Sequence, residues 1–379
     1  MKETSAYKMC SRCLCDTTIS SIRFDSNGLC NFCKSHDLLM NSYPGAEQSK
    51  KSLDLLLEKI KRDGKGKHYD CIVGISGGTD SSYTLHLAKE FGLRPLAVHF
   101  DNGWNTDQSV KNIKVLTDIL DVDLETYVVD WEEFKDLQIS FLKAGVPCIE
   151  VPTDVAIFGT LYRIANQENI HYILGGQSFK TEGTVPKEWS YIDGTYVNTI
   201  RRIFGKSKLK NYPGLSLPAL FYYMFVKRIR IIPFLNYVDY SKFEAKSLLK
   251  EVYKWSDYGG HHYENLYSKF AFGYYQFHKF GIDKRKISLS GQIRSGFLSK
   301  EDALSQIQQE PDVKEDTVDY CIQKLGLTKS EFLEYYNKLN KTYKDYFTSE
   351  DILKYFKIPV RLLVFLKLVN PVLYEKYFK

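Results

Sequence analysis

The chain has 379 residues, 44% of them hydrophobic and 26% charged, with a formal net charge of +6. Those proportions describe an ordinary soluble globular protein, long enough for two domains. The charge suits small anionic ligands such as nucleotides, but is too slight for a dedicated nucleic-acid binder.

The first residues lead into polar, cysteine-rich sequence with no apolar core of a signal peptide. No run of about 18 apolar residues occurs anywhere, so neither a spanning helix nor a location outside the cytoplasm is expected. Four of the eight cysteines fall in two pairs, Cys10 with Cys13 and Cys30 with Cys33, separated by sixteen residues. Four thiolates at this spacing suit tetrahedral Zn²⁺ with no open position, and a short polar segment needs such a staple to fold. Cys15 is an extra thiol nearby, which leaves the ligand choice slightly open. Residues 1–45 are therefore expected to form a four-cysteine zinc module.

Residues 50–62 carry apolar positions at helical spacing, and a turn-rich joint follows. The pattern then alternates. Strands are expected over 71–75, 94–100, 124–129 and 170–176, with helices over 80–91, 109–120, 131–143 and 153–166. Such alternation implies an α/β fold with a parallel, twisted, Rossmann-like sheet over residues 46–200, joined by right-handed crossovers. These sheets bind ligands at the carboxyl ends of their strands, where "SGGTDSS", "DNGW" and "GGQSFKTEG" all fall. Past residue 200 the β signal fades, and residues 201–379 read as mainly helical. The run "LSLPALFYYMFV" at 215–226 is too short to span a membrane and reads as a buried or interfacial helix. The basic, amphipathic stretch 358–379 either packs on its parent domain or touches a membrane surface.

The first of these loops has the look of a phosphate cradle without the lysine of a Walker A motif. Gly77 and Gly78 let backbone approach an anion, Ser76 can cap the next helix, and Ser81 and Ser82 offer hydroxyls near its N-terminus. Asp80 would repel phosphate unless a cation intervened, which implies Mg²⁺. The same residues also suit a plain strand-to-helix turn. The whole string, however, resembles the SGGxDSS loop of the PP-loop ATP pyrophosphatases. That resemblance implies that the loop holds the departing pyrophosphate of ATP while a substrate oxygen attacks the α-phosphate, with Asp80 at the reacting centre. It also implies adenosine contacts from Asp101 and Asn102, and backbone contact with the nucleotide at Gly175 and Gly176. Glu182 falls where NAD-synthesising relatives carry a Mg²⁺-binding glutamate, although a solvated loop residue is an equal reading.

Longer stretches resemble the N-acetyl sugar amidotransferases of bacterial surface-polysaccharide and O-antigen biosynthesis. "CSRCLCDTTISSIRFDSNGLCNFC", "SGGTDSSYTL", "FDNGWNT", "LGGQSFKTEG" and the region from "WSDYGGHHYEN" to "KFGIDKRKISLSGQIRSGF" carry the likeness. It implies conversion of an N-acetyl group on a nucleotide-activated sugar to an acetamidino group through an adenylated intermediate. Ammonia would come from separate glutaminase and cyclase-like subunits, and a homo-oligomer is compatible with this. No glutaminase is expected within the chain, since "VPCIEVP" around Cys148 lacks a glycine-flanked elbow and the chain opens Met-Lys. The resemblance places catalysis on Lys284 and Arg285, and sugar-nucleotide binding on His261, His262, Asp283 and Lys286. By residue type alone these could equally form a basic solvated turn beside two surface histidines. Aromatic residues at 15% suit sugar stacking and a core equally. Two alternatives stand: a sialic-acid-like nonulosonic acid as substrate, or a zinc-containing tRNA thiolase. The thiolase reading needs a central cysteine pair, and only Cys148 lies there.

Overall fold

The computed structural model describes residues 7–43, 46–257 and 263–365. His261 and His262 lie outside the described residues, as does the basic terminus beyond 365. An N-terminal segment of turns and bridges ends in α1 (Asn31–Ser42). Next come α2 (Ala46–Asp63), β1 (Cys71–Gly74), α3 (Thr79–Glu90), β2 (Pro95–Asp101), α4 (Asp107–Leu120) and β3 (Leu124–Val128). α5 (Trp131–Ala144), α6 (Val151–Gln167), β4 (Tyr172–Gly175), α7 (Phe179–Glu182), α8 (Gly194–Phe204) and α9 (Leu217–Phe221) precede β5 (Arg230–Pro233). The remainder is helical: α10 (Lys242–Tyr253), then α11 (Leu266–Phe270), a π-helical turn at Ala271–Gln276, and α12 (Phe277–Phe280). α13 (Arg285–Arg294), α14 (Lys300–Gln308), α15 (Glu315–Lys324) and α16 (Lys329–Tyr336) follow.

The strands pair in the order β3-β2-β1-β4-β5, all parallel. This confirms the α/β sheet and adds a strand that the sequence reading missed. β5 pairs with β4 from Arg230 to Pro233, so the sheet crosses the boundary drawn at residue 200. Its signal is weak because two isoleucines between arginine and proline are too few to show a period.

Side chains alternate between the two faces of the central strands, as a pleated backbone requires. Ile72 and Ile173 pack with α6 on one side. Val73 and Leu174 join α2, α3, α4 and α10 on the other. Burial on both faces explains why β1 and β4 read as continuous apolar runs. A further core, rich in aromatics, welds the C-terminal helices to this layer. Trp104, Phe134, Tyr196, Tyr267, Phe270 and Tyr275 are its largest fully buried members. Much of the aromatic content therefore serves packing.

The N-terminal segment does not stand apart. It docks on α13 through Arg12 to the Arg294 carbonyl (2.8 Å) and Lys286 to Asp16 (2.7 Å), and on the start of α14 through Lys300 to the Cys10 carbonyl (2.7 Å).

Candidate active site

The sheet order reverses between β1 and β4, and the loops leaving their carboxyl ends diverge to open a crevice. The β1–α3 loop forms one lip. Gly77 has φ +76°, and a Cβ there would lie 2.3 Å from the Ser109 carbonyl oxygen, so only glycine fits. Its own carbonyl accepts bonds from Trp255 Nε1 (3.0 Å) and Asn112 Nδ2 (3.3 Å), which fix the turn. A Cβ on Gly176 would come within 2.9 Å of the Asp80 backbone, so the β4 loop closes directly on this turn.

α3 starts at an N-cap, Gly78, that supplies no side-chain cap. Its first amides and positive dipole end are therefore open to an anion. The Ser76 and Ser81 hydroxyls lie 3.2 Å apart at the mouth of this turn. Ser82 is fully buried, with its Oγ lacking a hydrogen-bond partner among the described residues. Asp80 is shared: its carboxylate accepts from the Tyr240 hydroxyl and pairs with Lys242 Nζ at 3.1 Å. Lys242 thus brings a fixed cation beside the loop, from α10. The sequence reading missed it, because 162 residues separate the pair.

Below the lip lies a cavity of about 310 Å³. Ser76, Asn102, Gly175, Gly176 and Lys284, all singled out from sequence, line it. Asn102 is buried and structural: its Oδ1 accepts from Trp104 N (3.1 Å) and from Asn265 Nδ2 (3.0 Å). Asp101 accepts from Gly103 N (2.8 Å) and Asn105 Nδ2 (3.0 Å), which shapes the β2 loop. Backbone bonds from Thr106 to Glu264 and from Leu266 to Trp104 fasten that loop to the C-terminal region. Glu182 sits at the end of α7, which packs on α13, and does not line the cavity.

The stretch 283–286 divides its charges. Arg285 forks onto Asp283 (2.6 and 3.0 Å) and also reaches the Gln309 carbonyl, fixing the start of α13. Lys286 goes the other way, to Asp16 in the N-terminal segment. Lys284 alone reaches the cavity, its Nζ 3.6 Å from the centre of the Phe272 ring. Phe272 belongs to the π-helical turn, where one extra residue per turn re-aims a side chain.

Carboxylates complete the cavity and were not foreseen: Glu150, Asp154 and Glu264. Glu150 is 2% exposed and its Oε2 accepts from Ser268 Oγ at 3.0 Å. Burial, and next the Asp154 charge, push its carboxyl up to about 8, against the pull of Ser268, Thr153 and Lys284. His99 also lines the cavity; its Nδ1 lies 2.9 Å from the Ile75 carbonyl, and burial lowers its pKa.

Away from the cavity, the sulfurs of Cys10, Cys13, Cys30 and Cys33 all lie within 4.8 Å of one another. The closest approaches are 3.6 and 3.7 Å. A tetrahedron with metal–sulfur bonds of about 2.3 Å has edges of about 3.8 Å, so the donor set fits one metal ion. Arg294 donates to Cys13 (3.1 Å) and Cys33 (3.4 Å), and to Cys15 (3.0 Å), offsetting the charge of a four-thiolate centre. Cys15 lies outside the four-sulfur cluster and beside this arginine.

Residues 264–359 match the family described as LPS biosynthesis protein WbpG-like, C-terminal domain. Over 171 residues the chain is 32% identical to an uncharacterized protein of Methanocaldococcus jannaschii, covering 44% of this chain and 58% of that one. Over 100 residues it is 32% identical to 7-cyano-7-deazaguanine synthase of a Nitratiruptor species, covering 23% of this chain and 44% of that one. The chain thus spans about half the length of the curated relatives it matches. Among solved structures, NMN synthetase from Francisella tularensis is 14% identical, with 78% of this chain and 98% of that chain covered at a TM-score of 0.30.

Proposed function

We propose that the chain is an ATP-dependent, AMP-forming amidotransferase that converts the N-acetyl group of a nucleotide-activated sugar to an acetamidino group for lipopolysaccharide or related surface glycans. One observation carries this reading. Glu264, Asn265, Ser268, Phe272 and Lys284, all within the segment that matches the lipopolysaccharide-biosynthesis family, wall the cavity that opens at the strand ends of β1 and β4. The nucleotide loop and the family-specific segment share one space.

In this reading the amides at the start of α3, with Ser81 and Ser82, hold the β- and γ-phosphates. Mg²⁺ held by Asp80 would neutralise charge between those phosphates. The substrate's amide oxygen attacks the α-phosphorus, the bond to the bridging oxygen breaks, and pyrophosphate leaves. Lys284 is placed to stabilise negative charge as it develops, in a site partly shielded from water. Arg285 and Asp283 set the position of Lys284, and Lys286 ties α13 to a zinc-bound N-terminal module. Ammonia from a glutaminase and cyclase-like pair then displaces AMP. A thiolase reading is disfavoured by Cys148, which is buried, with its thiol pushed up to about 11 by burial.

The test is pyrophosphate release by purified protein with ATP, Mg²⁺ and ammonium, comparing a UDP-diacetamido sugar with bulk tRNA. Release with the sugar alone, and a product in which oxygen is replaced by NH, supports the proposal. Release with tRNA alone overturns it.

A further inference from the structure

We propose that Glu150, Asp154 and Glu264 form the receiving site for the nitrogen nucleophile, binding it as ammonium, and that Glu150 is the base that takes its proton. The proposal rests on the amidation reading above.

Three carboxylates line one cavity together with Lys284. Glu150 and Asp154 are one turn apart at the start of α6, where Asp154 N donates to the Glu150 carbonyl at 3.1 Å. Glu264 approaches from the C-terminal region. The decisive observation is the orphaned oxygen. Ser268 orients Glu150 by occupying Oε2, while Oε1 is buried with no hydrogen bond of normal geometry among the described residues. The Thr153 hydroxyl acts on Glu150 but is itself left without a bond of normal geometry, so this end of the carboxylate has room for a further donor, and a ligand that donates would supply it. Three carboxyl groups in one cavity disfavour an anion there, and a small cationic donor both fills the vacant acceptor and offsets their charge. Ammonium has four N–H donors and fits easily in about 310 Å³.

The proton balance closes. Glu150 carboxylate removes one proton from ammonium and becomes the neutral acid. The freed lone pair forms the C–N bond to the adenylated imidate carbon. The C–O bond to AMP breaks and AMP leaves with that electron pair; of the three protons of the ammonia, two stay on the new nitrogen and one moves to the sugar's nitrogen, giving the amidinium. Groups facing Glu150 are Asp154 on its own helix, Ser268 and Tyr267 on α11, Lys284 before α13, Cys148 upstream and Cys321 on α15. Among them Lys284 lowers its proton affinity and Asp154 raises it. At a value of about 8 a fraction of the group is ionised near neutral pH, and a bound cation favours that ionised form, which is the one that accepts the proton.

Two measurements test this on the full-length protein. Crystals soaked in thallium(I), an ammonium-sized cation visible by anomalous scattering, should show the ion between Glu150, Asp154 and Glu264, and Glu150→Gln should lose it. In solution, Glu150→Gln should slow amidine formation by about 100-fold more than it slows sugar-dependent exchange of labelled pyrophosphate into ATP. The deficit should shrink as pH rises and free ammonia replaces ammonium. Thallium absent from the cavity, or equal slowing of the two reactions, would overturn the site. A wild-type protein with thallium bound but no sugar-dependent exchange would instead overturn the amidation reading and leave the cation site standing.

Discussion

Asp80 lies in the first turn of α3 with its carboxylate divided between Tyr240 and Lys242. It is therefore held in one orientation before any nucleotide arrives. Asp80→Ala is expected to lower ATP-dependent pyrophosphate release by at least about 100-fold, assayed alongside Lys242→Met, which should weaken ATP binding more than turnover. Glu150 leads to a prediction about stability. Its folded-state carboxyl titrates near 8, whereas in an unfolded chain it titrates near 4.3. Between those values the folded protein binds the extra proton, so stability falls as pH rises through this window and levels off above it. The slope is at most about 1.4 kcal/mol per pH unit. Urea midpoints at pH 5.5 and 8.5 should differ more in wild type than in Glu150→Gln; equal differences would show that Glu150 is ionised throughout. The loop glycines were legible because their chemistry is local. Glu150 was not, since its environment depends on Ser268, 118 residues away.

Among the elements, α13 joins two sites. Its start presents Lys284 to the cavity, while Lys286, its second residue, balances Asp16, whose side chain is 2% exposed. Removing one partner of a buried pair typically costs about 3–5 kcal/mol. Lys286→Met should accordingly lower the thermal midpoint by several degrees. Lys284→Met should leave the midpoint nearly unchanged and slow pyrophosphate release by roughly 100-fold. The reverse pattern would exchange their roles. From sequence, four adjacent charged residues look like one basic patch, because nothing local reveals that Arg285 folds back on Asp283 and Lys286 reaches across 270 positions. The first four strands and their helices were legible because the segments alternate in chain order. β5 has four residues and gains its identity only by pairing with β4.

At the scale of the whole molecule, the four-cysteine cluster touches no part of the cavity, yet it buttresses the helix that holds Lys284. If the four sulfurs carry Zn²⁺, stripping it with a strong chelator should release the N-terminal segment, since structural zinc commonly contributes about 10 kcal/mol to small modules. Pyrophosphate release should fall with the thermal midpoint and return when Zn²⁺ is restored. Full activity in the metal-free protein would separate the two regions. Elemental analysis should find one metal ion per chain if Cys15 stays outside the centre. That docking also has a consequence for how the protein is made. Arg12 waits for a carbonyl 282 positions later in the chain. A ribosome adding about 5–20 residues per second needs roughly 15 to 60 seconds to reach it. For that interval the nascent N-terminus carries four thiols and the apolar surface around Cys15 and Ile19 without their cover. Capturing metal early would hold this segment closed until α13 emerges, and a ribosome-bound chain truncated before residue 284 should expose thiols that the finished protein hides.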